Sequence, residues 1–277
     1  MQLDELLDVY LSAREASVAY RSSLLRTVRK AKSCGLSSVD DLCSAKVNRF
    51  LLDLSSRVSA TTRSNVRREL LTLWRFAFET GETDVFPQRI VKIRPDRKPV
   101  QAWSLTTLAE MLAAAERDET RCGGIENPRL CDWLPAWIAV GFDTGLRFTD
   151  IYEMPCSAIR NGCVSLTAHK TGKPLVRVLS GVACRHAERL ADQSPDGSLF
   201  RWMVTRRRAF LCWRNFLDRH GWSGSSKWLR RSCATYLEQQ QPGSATVYLQ
   251  HSAPHLVRDH YLDQSLGAAP AGPPSIR

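Results

Sequence analysis

The sequence contains no long apolar run. Its longest, residues 134–142, is much shorter than the roughly 20 residues that a helix needs to cross a bilayer. The first residues, MQLDELLDVY, are acidic and amphipathic, whereas a secretory signal begins with basic residues followed by an apolar stretch. We therefore expect a cytoplasmic protein with no membrane partner.

Cysteine is present but lacks the pattern of a metal site or of a disulfide framework. The count is nine, which is odd, and no two cysteines form a CxxC pair. Structural zinc needs ligands in close pairs, and disulfides persist mainly in oxidising compartments. We expect free thiols, buried or half-buried. The positions are Cys34, Cys43, Cys122, Cys131, Cys156, Cys163, Cys184, Cys212 and Cys233.

Motifs for metal-dependent or nucleotide-dependent chemistry are also missing. The chain has no DxD, no DDE-like grouping of acidic residues and no cluster of histidine with aspartate. It has no GxxxxGKS or GxxxxGKT loop for the phosphates of a nucleotide. No metal and no cofactor is predicted. If the chain acts on phosphodiesters, side-chain cations must neutralise the charge that a metal ion would otherwise stabilise.

Lysine is scarce, whereas arginine is abundant. The chain has 31 arginines and 8 lysines, and its 39 basic and 28 acidic residues give a net charge of +11. A planar guanidinium binds phosphate through two hydrogen bonds, so an arginine-rich excess suits nucleic acid. Residues 197–237 contain nine basic residues and one acidic residue, Asp218. A stretch in which nearly all the charges are positive predicts a surface that binds a polyanion.

A length of 277 residues favours two domains. Residues 1–85 predict four helices and no strand, because apolar residues recur at helical spacing. Ser59 or Thr61 is predicted to cap the last of these helices, and Gly81 to end it. We expect three basic residues of this helix to lie along a DNA backbone, namely Arg63, Arg67 and Arg68.

Residues 86–103 predict a linker between the two domains. The stretch contains three prolines and several basic residues but no periodic apolar stripe. Its basic side chains, which include Lys92 and Arg94, indicate that it crosses DNA. At the end of the chain, residues 265–277 have low complexity and are predicted to be disordered.

Residues 104–264 predict a domain of helices with one β-hairpin. A helix is expected over residues 130–144, where Gly145 can adopt the left-handed conformation that ends it. Arg147 then follows a sharp turn, an exposed and rigid position. Residues 162–179 contain two runs rich in β-branched residues, CVSLTAH and PLVRVLS, on either side of KTGK, a pattern typical of a hairpin.

Four motifs occur in order in the second half of the chain. They are TGLRFTDI (144–151), HKTGKPLVRV (169–178), KWLRRSCATYL (227–237) and LQHSAPHLVRDHYLD (249–263). Together they resemble the catalytic domain of the tyrosine recombinases, the phage integrase family, over about residues 100–262, and the helical first segment resembles the family's core-binding domain. The resemblance implies a mainly α fold with a small β-hairpin or sheet: a helical, SAM-like core-binding domain and a mixed α+β catalytic domain.

The resemblance also implies roles for individual residues. Arg147 and Arg230 would hold the scissile phosphate through bidentate hydrogen bonds. Lys170 matches the hairpin lysine that acts as general acid toward the leaving 5′ oxygen, with Lys173 as a rival on the far side of the turn. Lys227 stands where the family most often has histidine, and it would donate a hydrogen bond to the same phosphate.

The last motif departs furthest from the family. His251 matches the later histidine, with His255 and His260 as competitors, but Gln250 replaces the glycine that precedes it in the family. Tyr261 matches the nucleophile and lies ten residues after His251, where many members have nine. Its phenol would form a 3′-phosphotyrosyl link that stores the bond energy for rejoining.

The implied function is site-specific recombination by four protomers on double-stranded DNA, independent of metal and ATP, in the cytoplasm and associated with the nucleoid. A DNA-binding relative that no longer cuts and a topoisomerase-like nicking-closing enzyme remain as alternatives. We expect Asp150 to orient Arg147 or cap the helix, and Trp228 either to pack or to touch DNA. Further DNA contacts are expected from Lys173, Arg206, Arg207, Arg208 and Arg231.

Overall fold

The structure is a computed structural model that describes residues 1–95, 98–123, 127–201, 204–250 and 253–266. The chain divides into two compact units, Met1–Lys98 and Pro99–Arg277. The division falls inside the segment 86–103, for which the sequence predicts a linker. No helix within the described ranges is both long enough and apolar enough to cross a membrane.

The first unit is helical, as predicted. Residues 1–85, all of them described, form four α-helices: α1 (Leu3–Ala13), α2 (Val18–Lys32), α3 (Ser44–Asp53) and α4 (Ala60–Glu79). Ser59 caps α4, because its side chain accepts a hydrogen bond from the backbone N–H of Thr62. Apolar side chains of all four helices meet in one core around the fully buried Trp74.

The segment after α4 is folded back onto the first unit. Trp74 Nε1 donates a hydrogen bond to the carbonyl of Val85 at 2.6 Å. The guanidinium of Arg67 donates to the carbonyls of Ile90 at 3.3 Å and Val91 at 2.7 Å. Side chains of α4 thus satisfy backbone groups that would otherwise need water.

The second unit combines helices with a small sheet, in the mixed α+β arrangement that the sequence predicts. Its helices and strands are α5 (Leu105–Ala115), α6 (Leu130–Thr144), α7 (Phe148–Tyr152), β1 (Ile159–Arg160), β2 (Cys163–Thr167), β3 (Pro174–Val178), α8 (Gly181–Asp192), α9 (Arg206–Arg219), α10 (Ser226–Gln240), α11 (Ser244–Tyr248) and α12 (Pro254–His260).

Helix α6 is central to the second unit and packs against α5, α8 and α10. Trp133 and Trp137 stack on it with ring centroids 4.7 Å apart. Gly141 lets α10 approach closely, because a Cβ atom there would lie 2.8 Å from Cδ1 of Leu229. The helix ends at Gly145, whose φ of +57° confirms the predicted left-handed cap.

The predicted hairpin is formed by β2 and β3, which pair antiparallel with Cys163 opposite Val178. The short strand β1 adds to β2, so the sheet order is β1-β2-β3 and β3 lies at an edge. The turn over residues 168–173 is closed by a hydrogen bond of 2.9 Å from Ala168 N to Lys173 O. The hairpin holds this turn, and the lysines on it, at the surface.

Two cysteines depart from the prediction of free thiols. Cys122 and Cys212 form a disulfide, with Cα atoms 5.8 Å apart and a sequence separation of 90. The prediction was wrong for this pair because spacing rules detect only neighbours along the chain, whereas these residues meet through the packing of α9. The other seven cysteines are free, and all are buried or half-buried.

Trp228 packs inside the second unit. Its ring centroid lies 5.3 Å from that of Trp103, and it is partly buried against the main apolar core. Of the tail predicted to be disordered, residues 267–277 lie outside the described residues. Ser265 is held in a turn, since its backbone N–H donates to Asp263 Oδ1 at 2.9 Å.

Candidate active site

Arg147 is presented by a tight turn between two helices. Gly145 ends α6, and Arg147 is the N-cap residue of α7. A Cβ atom on Gly145 would lie 2.7 Å from Cδ2 of Leu249 and 2.9 Å from Sγ of Cys233, so only glycine fits this turn. The close packing fixes the backbone and leaves the Arg147 side chain 27% exposed.

Asp150 connects Arg147 to the hairpin turn. Its carboxylate is buried; Oδ2 lies 4.0 Å from Nη1 of Arg147, and Oδ1 accepts a hydrogen bond of 2.8 Å from the backbone N–H of His169. Of the two roles expected for Asp150, the structure favours the interaction with Arg147, at ion-pair distance, since α7 has no side-chain cap. Because His169 directly precedes Lys170, the carboxylate that faces Arg147 also holds the turn that carries the predicted general acid.

Arg230 is 5% exposed and lies in the interior of α10. Its Nη1 donates to the carbonyl of Gly145, and its Nη2 donates to the carbonyl of Leu249 at 3.1 Å. Burial lowers the pKa of its guanidinium; Tyr261 acts in the opposite direction, and the positive charge of Arg147 lowers the pKa further. A guanidinium nevertheless stays protonated in a protein, so a buried cation beside a second cation favours a bound anion.

Tyr261 follows α12 and lies beside Arg230. The Cζ atom of Arg230 is 5.1 Å from the centroid of the tyrosine ring. The ring packs against a small apolar cluster that includes Leu249 and Val257, yet the residue remains partly exposed. Its carbonyl accepts a hydrogen bond of 3.4 Å from Thr235 Oγ1. A phenol thus lies next to the buried arginine without being sealed in the core.

Asp263 anchors the backbone just beyond Tyr261. Its N–H donates to Thr235 Oγ1 at 3.0 Å, and its Oδ2 accepts from the backbone N–H of Ala102 at 2.7 Å. Sequence reasoning missed this residue, because one acidic residue in a polar stretch carries no pattern. Its contacts hold the end of the last motif against α10 and against the start of the second unit.

Arg177 of β3 is a second residue that sequence reasoning missed. Its guanidinium donates to the carbonyl of Tyr248 and lies 4.2 Å from the centroid of that tyrosine ring. The sequence did contain a clue. Side chains two residues apart on a strand face the same side, and Arg177 lies between Leu175 and Leu179, which are both buried. An arginine in an apolar series needs a partner inside the protein.

The predicted lysines lie on the surface. Lys170 and Lys173 are exposed in the hairpin turn, and Lys227 is exposed in the first turn of α10. Lys227 precedes Arg230 by one helical turn, but Arg230 points into the protein while Lys227 remains in solvent. The structure therefore brings together two arginines and the tyrosine, joins the hairpin turn to them through Asp150, and places the lysines at the exposed side.

The segment before the predicted histidine has unusual backbone geometry. Gln250 has φ of +52°, a left-handed conformation that favours glycine, which the family has at this position. Its side chain donates to the carbonyl of Pro174 at 2.9 Å. His251 lies outside the described residues, and its rivals His255 and His260 are exposed on α12.

The charge of the candidate site is positive. Among residues for which the structure gives positions, no group of three or more His, Cys, Asp or Glu is arranged to hold a metal ion. The charge of Arg147 acts on the guanidinium of Arg230, and Tyr261 places a phenol beside that guanidinium. This set can bind one phosphate group and offer it a nucleophile.

The predicted DNA contacts of the first unit differ in their surroundings. Arg68, Lys92 and Arg94 are exposed, and Arg63 is half-exposed. Arg67 instead directs two of its nitrogens at backbone carbonyls of the segment that follows α4. All five side chains therefore keep at least partial solvent access, but the guanidinium of Arg67 is already bound to backbone carbonyls.

The predicted DNA contacts of the second unit include three consecutive arginines in the first turn of α9. These are Arg206, Arg207 and Arg208, all exposed. The N-terminus of a helix carries partial positive charge, which repels these basic side chains, and a bound anion would offset that repulsion. Arg206 donates to Thr149 Oγ1 at 2.7 Å, close to the turn of Arg147. Arg231 is half-buried and donates to the carbonyl of Gln101.

No protein-family model and no curated protein matches this chain, whereas solved structures do. A lambda integrase dimer bound to a COC′ core site superposes with a TM-score of 0.75 at 16% identity, covering 98% of this chain and 80% of that one. The Tn1549 transposon integrase in complex with circular intermediate DNA gives 0.73 at 12% identity, covering 94% and 95%. The XerH site-specific recombinase bound to palindromic difH substrate gives 0.69 at 16% identity, covering 92% and 80%.

These three proteins are tyrosine recombinases. The chain has the tyrosine recombinase fold. The resemblance inferred from four short motifs is thus confirmed at the level of the fold, including the small antiparallel sheet in a mainly helical unit. Within this tyrosine recombinase fold, Arg230 lies beside Tyr261 and within electrostatic range of Arg147, although the three residues are far apart in the sequence.

Proposed function

We propose that this protein is a site-specific DNA recombinase of the integrase type, which cleaves and rejoins double-stranded DNA through a 3′-phosphotyrosyl intermediate. One observation supports the proposal most strongly: the buried guanidinium of Arg230 has its Cζ atom 5.1 Å from the ring centroid of Tyr261, and the positive charge of Arg147 acts on the same guanidinium. Two cations and a phenol in one place match the needs of phosphoryl transfer to a protein nucleophile.

In the proposed reaction, the hydroxyl oxygen of Tyr261 attacks the phosphorus of the scissile phosphodiester. A bond forms between that oxygen and phosphorus while the bond from phosphorus to the 5′ oxygen breaks. The phenolic proton passes to water, and Lys170 gives a proton to the departing 5′ oxygen. Rejoining reverses these steps with a 5′ hydroxyl as the attacking group. The phosphotyrosyl link conserves the bond energy, so the proposal requires no ATP.

The proposed site stabilises the negative charge that builds up on the phosphate. Arg147 and Arg230 are assigned to the non-bridging oxygens, where hydrogen bonds from charged donors are strongest. Lys227 and His251 are assigned to the same phosphate by the family resemblance. The arginines and lysines replace a metal ion in the proposed mechanism, which uses no cofactor.

The proposed partners are double-stranded DNA and further copies of this chain. We assign residues 1–85 to a core-binding domain, residues 86–103 to a linker across DNA, and residues 104–264 to a catalytic domain. Solved structures with this fold include a lambda integrase tetramer bound to a Holliday junction, which supports four protomers in the synaptic complex. We place the protein with the nucleoid in the cytoplasm.

Covalent capture on DNA tests the proposal. The protein is incubated with fragmented genomic DNA, adducts that survive denaturation are purified, and both the DNA ends and the modified peptide are identified. We expect adducts on the peptide that contains Tyr261, at a small set of DNA sequences. Tyr261→Phe is expected to abolish them, whereas the control Tyr236→Phe, on α10, is expected to retain them.

The same experiment separates the alternatives. Reversible DNA binding without any adduct would favour a relative that no longer cuts. Adducts spread evenly over sequence, together with relaxation of supercoiled DNA, would favour a topoisomerase-like enzyme. Adducts that persist in Tyr261→Phe would contradict the assignment of the nucleophile.

A further inference from the structure

Arg177 is a charged residue on the inward-facing side of a strand, where it contacts Tyr248. It lies on the edge strand β3, where Leu175 two residues before it and Leu179 two residues after it are buried. Its guanidinium lies 4.2 Å from the ring centroid of Tyr248 and donates to the carbonyl of the same residue. Burial lowers the pKa of this guanidinium, so the fold keeps a cation where desolvation opposes it.

Arg177 and Arg230 bind adjacent carbonyl groups. Helix α11 ends at Tyr248, and the last carbonyls of a helix lack intrahelical partners and carry partial negative charge. Arg177 binds the carbonyl of Tyr248, and Arg230 binds the next one, that of Leu249, at 3.1 Å. The position of one guanidinium therefore depends on the same short segment as the position of the other.

Two further contacts tie this segment to the rest of the site. The hydroxyl of Tyr248 donates to the carbonyl of Asp143 at 2.6 Å, in the last turn of α6 just before the turn that presents Arg147. The side chain of Gln250 donates to the carbonyl of Pro174 at 2.9 Å, at the start of β3. Strand β3 thus holds residues 248–250 from both ends.

We propose that Arg177 is a positioning residue: it fixes the backbone of residues 248–250 and, through the carbonyl of Leu249, the guanidinium of Arg230. This inference rests on the proposed function, because Arg230 is there assigned to the scissile phosphate. Arg177 itself contacts the carbonyl and the ring of Tyr248. Its effect on cleavage is transmitted through Arg230.

The experiment compares Arg177→Gln and Arg177→Lys with Arg160→Gln, which removes one exposed positive charge from the same sheet. The first measurement is the rate at which N-ethylmaleimide modifies Cys233 in the full-length protein without DNA, followed by peptide mass spectrometry. Cys233 is 4% exposed and would touch a Cβ atom on Gly145, so it reports on loosening around Arg230. The second is the rate of adduct formation, with DNA affinity measured in parallel.

For Arg177→Gln we expect Cys233 to react at least about tenfold faster and adducts to form at least about tenfold more slowly, since a displacement near 1 Å can cost about a hundredfold in rate. DNA affinity should stay within about threefold of wild type, as loss of a single phosphate contact would change it only modestly. Arg177→Lys should recover part of the adduct rate, because an ammonium can still donate to the carbonyl of Tyr248.

The proposal is overturned if Arg177→Gln behaves like Arg160→Gln in both measurements. A wild-type protein that forms no adduct, combined with faster labelling of Cys233 in Arg177→Gln, would refute the proposed function and leave the positioning role standing. If Arg177→Gln does not fold, Arg177→Lys decides the matter: unchanged labelling and an unchanged adduct rate in that variant overturn the proposal.

Discussion

The candidate site has an arginine side and a lysine side, and the two are built differently. On the arginine side, Arg230 is buried and donates to two backbone carbonyls, and Arg147 follows a turn that only glycine permits. On the lysine side, Lys170 and Lys227 are exposed, one in a hairpin turn and one in the first turn of a helix. Positive charge is therefore held more rigidly on the arginine side than on the lysine side.

The arginine side is held in place before a phosphate binds, whereas the lysine side becomes ordered only when the phosphate binds. A guanidinium that already donates to backbone carbonyls loses little conformational entropy when a phosphate arrives, whereas an exposed lysine loses most of its rotamer freedom at that moment. The fold thus builds the arginine side as part of its own core. We expect changes on that side to affect stability and cleavage together, and changes on the lysine side to affect cleavage alone.

Removal of Arg230 has the largest expected effect. Arg230→Ala leaves the carbonyls of Gly145 and Leu249 without their donor, and we expect the free energy of unfolding to fall by about 2–3 kcal/mol. Loss of a preorganised donor to the phosphate should also slow cleavage by about a thousandfold. Denaturant unfolding and adduct formation measure the two effects. Unchanged stability would contradict the view that this arginine belongs to the core.

Removal of Lys170 tests the lysine side of the site, where we expect slower cleavage without a loss of stability. Lys170→Ala should slow cleavage by about a hundredfold, because the leaving oxygen loses its proton donor, with no change in thermal unfolding. The neighbouring Lys173→Ala is the matched control and should have a much smaller effect. A substrate with sulfur in place of the 5′ bridging oxygen needs no proton donor, so it should restore the rate of Lys170→Ala. Failure of that rescue would remove Lys170 from the role of general acid.

The same contrast extends to two adjacent arginines of α4. Arg67 donates to backbone carbonyls, so Arg67→Ala should lower the free energy of unfolding of the first unit by about 1 kcal/mol. Arg68 is exposed, so Arg68→Ala should leave stability unchanged and reduce the slope of log affinity for DNA against log salt concentration by about 1. Identical salt slopes for Arg68→Ala and wild type would exclude Arg68 from the DNA interface.

The smallest expected effect concerns Gln250. Its left-handed backbone is strained for any residue except glycine, while its side chain contributes a hydrogen bond to β3. Gln250→Gly removes both features, and Gln250→Ala removes only the hydrogen bond. We therefore expect Gln250→Gly to be more stable than Gln250→Ala by about 1 kcal/mol, measured by thermal unfolding. Equal stability of the two variants would indicate that the backbone strain is absent.

Local patterns predicted the secondary structure well. Helical spacing predicted the four helices of the first unit, and Gly145 predicted the end of α6, because both features depend on residues close together in sequence. Spacing could not reveal the disulfide between Cys122 and Cys212, or the contact of Arg177 with Tyr248. Those pairs lie far apart along the chain, and nothing local distinguishes them from pairs that never meet.

The sequence by itself determined the helices, the hairpin, the excess of arginine and the order of the motifs that indicate the tyrosine recombinase fold. Only the tertiary structure decided which cations are preorganised. Burial of Arg230 depends on carbonyls supplied by two other segments, and the buried Asp150 couples Arg147 to the hairpin turn across 19 residues of chain. Such contacts follow from how helices pack, because desolvation and hydrogen bonding act between neighbours in space.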